Sequence, residues 1–597
     1  MTYRVSVCAL LALSLLPTSA AEAKQPNVIV IFTDDHGYSD LSCQGIVDDI
    51  KTPQIDKLAA GGVRMTSGYV TAPQCVPSRA GLLSGRYQNR FGVESNSLPL
   101  DGFNAQQTIA QRLKKAGYAT GMIGKWHLGA AGEIVEHGFD DVFYQGGSWT
   151  NFAVDGDDAD PGTVFKDLYH LDAKSAAAKA FIKRHHDTPF FLYLAYRAPH
   201  VPLDATEKYL KRFPGEMPQR RRQALAMLSA VDDGVGGVMD SLREFGIEDN
   251  TLVFFIGDNG APLKIHKIDA PGGGPGWDGS LNEPLNGEKG MLSEGGIRVP
   301  FVVYWKGKIG GGQVYKHPVI SLDVAATAVA LAGLPADPKL DGVNLIPYLI
   351  GEKKEPPHAT LYWRWIAQAA IREGNWKYLR GGAREYLFDV EADREETSNL
   401  LAKHPEVAAR LQSKLASWSG QLSPPGLETK SMSPTWEQYF DHYLDGKRVP
   451  RPSAKSAGRE SRAGVVNGWV ARNCTTELID GILRVRPSRK NNPRPFIAAA
   501  GLNLPEGTTA VVRLRAKELG QAGISWRESG QRDFAPKQMV TFESKPSEVS
   551  KEYRVTIPAK QRVIHVRLLL PASGADVESI EFQDKSGKAI NTWRFDK

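Results

Sequence analysis

The chain has 597 residues, more than one hydrophobic core usually serves, so two or three packing units are expected. Its 42% hydrophobic and 23% charged residues are ordinary for a globular protein and exclude large-scale disorder. The formal charge of +6 hides an asymmetry: residues 451–597 carry 26 Lys/Arg against 15 Asp/Glu, a net of +11, which leaves the rest near −5. A basic C-terminal part points to polyanions such as sulfated polysaccharide or an acidic surface, and a merely solvated basic face is the other reading.

In chain order, the first segment reads as a secretory signal. Arg4 supplies the positive start, Val5 to Leu16 the apolar run, and Ala21-Glu22-Ala23 a small-residue cleavage site. That run is too short for a bilayer and no later segment approaches the length of one, so a secreted or periplasmic protein without a membrane span is expected. Cys8 departs with the signal, and the separation of Cys43 from Cys474 decides nothing about pairing.

Pro26 to Phe32 is a continuous apolar, β-branched run, the pattern of a strand buried on both faces. Similar runs occur at Pro189 to Tyr196, Thr251 to Ile256 and Pro300 to Tyr304, with helical stretches at Thr108 to Ala116, Leu171 to Arg184 and Arg220 to Phe245. Strands alternating with helices predict an α/β domain with a mostly parallel sheet. After about residue 345 short strands at Leu361-Tyr362-Trp363, Ala370-Ile371-Arg372 and Tyr386-Leu387-Phe388 precede an amphipathic helix from His404 to Trp418, a small α+β subdomain. Residues 421–465 are rich in Ser, Pro, Gly and Lys and read as a linker or an extended wrapping segment. Beyond 465 the period becomes two, as in Ile482 to Arg486, Val511 to Arg515, Tyr553 to Ile557 and Val563 to Leu570, which predicts an all-β sandwich. The expected division is a signal peptide (1–23), an α/β domain (24–345), an α+β subdomain (346–420), a linker (421–465) and a β-sandwich (466–597).

Two buried strands end in oxygen-rich clusters, Thr33-Asp34-Asp35 and Gly257-Asp258-Asn259-Gly260. Ligands bind at the carboxyl ends of strands in open α/β sheets, and adjacent carboxylates there repel unless a cation neutralises them. Hard oxygen donors favour Ca²⁺ or Mg²⁺ over zinc, although Asp-Asn-Gly is also a common turn. Lys125-Trp126-His127, if extended, sets Lys125 and His127 on one face with Trp126 opposite, a cation beside a titratable base. His200, between prolines, and Lys289, between glycines, are weak signals alone, a loop histidine and a surface lysine being the plain alternatives. Cys75 precedes Pro77, which suits a first helical position, so a helix over Ser78 to Leu83 would turn its N-terminal amides toward residue 75.

Together these segments resemble the type I, formylglycine-dependent sulfatases: Cys75 to Arg86, Gly117-Tyr118 through Gly129, Asp34-Asp35, Ala198-Pro199-His200, Asp258-Asn259 and Glu294 to Pro300 follow that pattern in its usual order. The resemblance covers roughly residues 25–420. It implies an alkaline-phosphatase-like fold, a large mixed sheet flanked by helices, carrying one Ca²⁺. By resemblance, Asp34, Asp35, Asp258 and Asn259 bind calcium, and residue 75, oxidised from cysteine to formylglycine (3-oxoalanine) by a formylglycine-generating enzyme, completes the shell. Arg79 and Lys125 hold formylglycine, Lys125 and Lys289 neutralise the sulfate, His127 assists the aldehyde hydrate and His200 protonates the leaving alcohol. The segment Asp389 to Asn399 departs from the family's usual Asp-Pro turn.

The β-rich extension resembles carbohydrate-binding jelly-roll modules, in which Trp469, Trp526 and Trp593 either stack on sugars or, more often for large aromatics, fill the core. Pocket walls are expected from Gly146 to Tyr169, Lys264 to Asn286 and Tyr362 to Ala367, with Trp149, Trp277, Trp363 and Arg364 facing a sugar. The implied function is a secreted sulfuric-ester hydrolase acting on a sulfated glycan or aryl sulfate, with no nucleic-acid partner. The alternatives are a phosphoester or phosphonate-ester hydrolase of the same superfamily and a glycan-binding protein with a dead catalytic domain.

Overall fold

A computed structural model describes residues 25–595 apart from 97–99, 145–148, 151–167, 202, 264–276, 424–433, 448–464, 467–468, 480, 488–493, 529–533 and 536. The expected signal peptide, residues 1–23, lies outside the described residues. Two compact units emerge, one of residues 1–261 with 279–432 and one of residues 262–278 with 433–597. Among the described residues no helix is long and apolar enough to cross a membrane, and Cys43, Cys75 and Cys474 are free.

The first unit is built on β1 (Asn27–Asp34), β2 (Val63–Met65), β3 (Gly68–Tyr69), β4 (Ala119–Gly124), β5 (Asp141–Tyr144), β6 (Trp149–Thr150), β7 (Phe190–Pro199), β8 (Thr251–Gly257), β9 (Phe301–Tyr304), β10 (Gln313–Tyr315) and β11 (Val319–Ile320). Nine of these form one sheet in the order β10-β2-β9-β8-β1-β7-β4-β5-β6. Its centre, β8-β1-β7-β4-β5, is parallel, but β9 runs antiparallel to both β8 and β2, and β6 to β5. The sheet is therefore mixed but mostly parallel, as the alternation of strands and helices and the family resemblance together led one to expect. β1 is buried along its whole length because both faces are covered. Ile29 and Ile31 join the core formed with the helices His170–His185 and Gln219–Glu244, while Phe32 lies under Arg79 of the helix Cys75–Ser84 on the other side.

β12 (Leu361–Trp365), β13 (Gln368–Glu373), β14 (Trp376–Gly381) and β15 (Arg384–Asp389) form an antiparallel meander, followed by the helix Pro405–Ser419. β14 is an addition to the three expected strands; Trp-Lys-Tyr-Leu-Arg-Gly offers no clean alternation because Lys377 is drawn inward by buried carboxylates. The expected linker also holds a helix, Pro434–Tyr443, whose Tyr439 and Phe440 are buried. Composition suggested an extended segment there, but a proline at the first helical position starts a helix rather than breaking it.

In the second unit the strands are β16 (Val465–Val466), β17 (Trp469–Arg472), β18 (Cys474–Ile479), β19 (Ile482–Pro487), β20 (Phe496–Leu504), β21 (Thr509–Arg515), β22 (Gly520–Glu528), β23 (Met539–Ser544), β24 (Lys551–Thr556), β25 (Val563–Leu569), β26 (Ala575–Gln583) and β27 (Ala589–Arg594). One sheet has the order β16-β17-β20-β25-β22-β23, the other β18-β19-β26-β21-β24 with β27 paired to β26. Their inward rows share one apolar core. Trp469 and Trp526 are buried in it and present no stacking platform, while Trp593 packs against it half-buried.

Candidate active site

β1 and β8 pair in parallel register, Thr33 opposite Gly257, so Asp34-Asp35 and Asp258-Asn259 leave the same edge of the sheet side by side. Asp35 then takes a left-handed φ of 57°, a conformation that Asp tolerates better than most residues. The turn is fastened by the Asp35 N–H donating to Asp258 Oδ1 at 2.9 Å and Asn259 Nδ2 donating to Asp35 Oδ1 at 2.7 Å. His36 supports it from the following position. Its Nε2–H donates to the Asp40 carbonyl at 2.8 Å, which leaves Nδ1 to accept from the Thr33 hydroxyl at 2.9 Å.

Cys75 opens the helix Cys75–Ser84, two residues earlier than the position of Pro77 suggested. The chain there is held by Asn96, whose side-chain oxygen accepts from the Val76 N–H at 3.0 Å while its own N–H donates to Gln74 Oε1 at 3.0 Å. Cys75 is fully buried, its sulfur 3.2 Å from Asp34 Oδ1 and 3.8 Å from Asp35 Oδ1. Burial and the carboxylates of Asp258 and Asp34 push this thiol well above its ordinary value. Reactive cysteines need the reverse, an electropositive and partly exposed setting.

One helical turn on, Arg79 is completely buried, and both of its terminal nitrogens are bonded. Nη2 donates to Asp258 Oδ2 at 2.7 Å, and Nη1 donates to the Lys125 carbonyl and the Tyr193 hydroxyl, each at 3.1 Å. Tyr193 escaped notice in the sequence, although the alternation of β7 would have marked a polar-tipped residue on the face opposite Leu192 and Leu194.

Two lysines complete the cluster, Lys125 Nζ donating to Asp34 Oδ2 at 2.6 Å and Lys289 Nζ to Asp35 Oδ2 at 2.8 Å. Burial would raise Asp34, but Lys125, His200, Arg79 and Lys289 together hold it well below the usual carboxylate range. Asp258 is instead pushed up to about 7 by burial and by Asp34, against the pull of Arg79 and Lys125. His200 lies with Nε2 3.6 Å from Asp35 Oδ2, and its Nδ1–H donates to the Val201 carbonyl at 2.6 Å, which aims Nε2 at the pocket. The loop carrying Lys289 is braced by two residues the sequence did not single out. Asn282 bonds both the N–H and the carbonyl of Ala261, and Gln368 of β13 bonds the Gly290 carbonyl and the Leu292 N–H.

His127 departs from expectation. β4 ends at Gly124 and His127 has φ of 60°, so Lys125 and His127 are not neighbours on an extended face. Trp126 is buried against Phe103, His137 and Phe139, which pins the turn and leaves His127 exposed at the rim. Although its surface opens to the rim, protein surrounds most of the ring, and that lost solvation, then Lys125 and Arg79, hold its imidazole well below the usual value. Trp363 and Arg364 are also corrected. Both are fully buried, Trp363 donating to the Val70 carbonyl at 2.8 Å and Arg364 paired with Glu94 at 2.7 Å, so neither reaches a substrate. Trp277 is half-buried, whereas most of the other expected walls, 151–167 and 264–276, lie outside the described residues, and of Trp149 only the backbone is described.

The donor set suits a hard divalent cation. Ligand atoms of Asp34, Asp35, Cys75 and His200 lie within 4.8 Å of one another, and Asp258 and Asn259 adjoin them through Asp35. The buried Asn259 Oδ1 has no hydrogen-bond partner, an acceptor left over for a cation.

The model of the sulfatase family matches residues 26–334, and that of the N-sulphoglucosamine sulphohydrolase C-terminal region matches 287–421. N-acetylgalactosamine-6-sulfatase of Mus musculus is 33% identical, over 62% of this chain and 74% of its own length. Arylsulfatase J of Mus musculus is 30% identical, over 68% of this chain and 77% of its own. Among solved structures, Ps i-CgsB in complex with k-i-k-neocarrahexaose has 30% identity and a TM-score of 0.58, covering 72% of this chain and 98% of that one. The mixed sheet, the order of its motifs and these relatives agree: this chain belongs to the sulfatase family, sulfuric-ester hydrolases with an alkaline-phosphatase-like fold.

Proposed function

We propose that this protein is exported and removes sulfate from a sulfated carbohydrate, with formylglycine made from Cys75 as nucleophile and one Ca²⁺ held by Asp34, Asp35, Asp258 and Asn259. The observation that carries this reading is the setting of Cys75: a fully buried thiol against two carboxylates, flanked by two lysines that reach those same carboxylates. A thiolate at that point would face Asp34 and Asp35, so the position is poorly built for cysteine chemistry and well built for a neutral, hydroxyl-bearing nucleophile.

Formylglycine would supply a geminal diol, a nucleophile with a second hydroxyl that a serine or a thiol lacks. The cation would supply Lewis-acid charge against the sulfate oxygens. Lys125 and Lys289 bind the remaining sulfate oxygens and offset charge as the S–O bond breaks. Arg79, anchored by Asp258 and Tyr193, fixes the turn of helix that carries residue 75. With Nδ1–H committed to the Val201 carbonyl, any proton His200 delivers leaves from Nε2, directed at the departing alkoxide. His127, kept neutral at the rim, accepts a proton from the nucleophile side. The names of the relatives, an N-acetylgalactosamine-6-sulfatase and a protein solved in complex with k-i-k-neocarrahexaose, support a sulfated polysaccharide or oligosaccharide as substrate.

The test is turnover of 4-nitrophenyl sulfate against 4-nitrophenyl phosphate, with mass spectrometry of the peptide containing residue 75, on protein made in a host that carries the maturing enzyme. Formylglycine at residue 75 with faster sulfate turnover is expected. Faster phosphate turnover, or full activity with an unmodified cysteine, would overturn the proposal.

A further inference from the structure

The two outward faces of the β-sandwich treat their arginines differently. On the sheet containing β19, β21, β24 and β26, guanidiniums are matched by carboxylates: Arg486 and Arg515 share Asp576, and Arg513 and Arg554 share Glu552. On the other sheet the outward rows follow from the register, since directly opposed residues point the same way. Arg472, Phe496, Leu569 and Gly523 form one row, and Val470, Ala498, Arg567 and Ser525 the next. Among the described residues these two rows carry no carboxylate; Glu543, opposite Gln521 on the edge strand β23, belongs to the row beyond them.

The arginines here bond carbonyls and rings instead. Arg472 donates to the Ala471 carbonyl at 3.1 Å, and Arg494, at the head of β20, donates to the Leu570 carbonyl at 3.1 Å and to the Gln521 carbonyl. Arg567 lies at the middle of the sheet, its guanidinium 3.6 Å from the centre of the Phe534 ring and 5.1 Å from that of Phe496. Its direct neighbours across the strands, Ala498 and Ser525, are small and buried beneath it, and the ring against it is that of Phe534, from the connection between β22 and β23. Among the described residues it has neither an ion pair nor a hydrogen bond. Stacking holds a guanidinium in one plane and leaves its N–H edge outward, the fork that matches two oxygens of a sulfate.

We propose that this face of the β16-β17-β20-β25-β22-β23 sheet is a non-catalytic docking surface for the sulfate groups of an extended sulfated polysaccharide, with Arg567 as its central contact and Arg472 as a second. The inference rests on the proposed function for its ligand class and on charge for its place: residues 451–597 are net +11, and the other outward face uses its carboxylates to offset its arginines. A polymer held on the second unit raises the concentration of its sulfate esters around the enzyme without a new catalytic group.

The experiment compares the full-length protein with Arg567→Ala, Arg567→Lys and Arg472→Ala/Arg567→Ala in affinity electrophoresis through dextran sulfate, unsulfated dextran and polyglutamate, with 4-nitrophenyl sulfate turnover read in parallel. Wild type is expected to be retarded by dextran sulfate alone. Arg567→Ala is expected to weaken that retention by about tenfold, the double variant further, and Arg567→Lys to fall between, the charge being kept and the fork lost. Turnover of the small ester should be unchanged in all of them, and the melting transition of the sandwich, read by calorimetry, should stay where it is, which reports that the substituted unit is folded. Equal retention by polyglutamate, or retention that survives the double substitution, would overturn the proposal. Loss of aryl sulfate turnover in wild type with retention intact would instead overturn the proposed function.

Discussion

Arg79 is the residue on which the geometry of the site depends most. It is fully buried and joins four parts of the sheet edge: the Cys75 helix it belongs to, Asp258 after β8, the Lys125 carbonyl after β4 and Tyr193 on β7. Removing one partner of a buried ion pair leaves the other unpaired and unsolvated, at a cost of about 3–5 kcal/mol. Arg79→Ala should therefore destabilise the first unit by that amount in chemical denaturation and abolish turnover. Asp258→Asn in the same chain should restore part of the stability and none of the activity, because no unpaired carboxyl is left buried while a proposed cation ligand is lost as well. Simple additivity of the two substitutions would show that the pair is not coupled. Cys75→Ala makes a contrast: it removes a small buried group, so stability should change little, while turnover should fall by about a thousandfold or more because the nucleophile is lost. A Cys75→Ala protein that turns over at a tenth of the wild-type rate or better, on the order of what a non-essential group costs, would rule out the assignment.

Between elements, the meander is fastened to the main sheet by charges rather than by apolar contact alone. Lys377 of β14 donates to Glu294 Oε1 at 2.8 Å and lies 2.9 Å from Glu396 Oε1, and the Glu294 N–H donates to Glu396 Oε2 at 2.7 Å. Glu294 also accepts from Arg298 and from Tyr69. Burial and the charge of Glu294 push Glu396 up to about 7, against Lys377. Its carboxyl ionises near 4.5 in the unfolded chain, so between about 4.5 and 7 the folded protein keeps a proton the unfolded one has released, and stability from this group falls as pH rises through that window. Glu396→Gln keeps an acceptor for the Glu294 N–H and cannot ionise. Relative to wild type it should gain stability as pH rises from 5 to 7, by on the order of 3 kcal/mol at most, in urea denaturation. A difference that stays constant with pH would exclude this role. The same network explains what the sequence concealed. β1, β7 and β8 were legible because strands covered on both faces are uniformly apolar, and the Cys75 motif and the carboxylate pairs at strand ends stood out through residue type. β14 was hidden because its buried lysine breaks the alternation, the helix Pro434–Tyr443 because its flanks look like a linker, and the turn at His127 because a positive φ leaves no mark when the residue is not glycine. Arg364 suggested a substrate contact, yet its partner, Glu94, lies 270 residues away in sequence.

At the scale of the whole molecule, each unit has its own apolar core, and the proposed cation donors Asp34, Asp35, Asp258 and Asn259 all belong to the first. A ligand that binds only the folded form stabilises what it touches: at a hundred times its dissociation constant the gain is about 2.7 kcal/mol. Calorimetry of the full chain should then resolve two transitions, one for each core. Calcium should raise the transition of the first unit by a few degrees and a chelator lower it, while the transition of the sandwich stays where it is. Asp35→Asn should remove that response without abolishing either transition, since Asn retains the size of the side chain and can still bond Lys289 less strongly. Zinc or magnesium producing the same shift at the same concentration would show that the oxygen donors do not select calcium. Movement of both transitions together would show that the two cores unfold as one, and the sandwich would then owe part of its stability to a cation bound in the other unit.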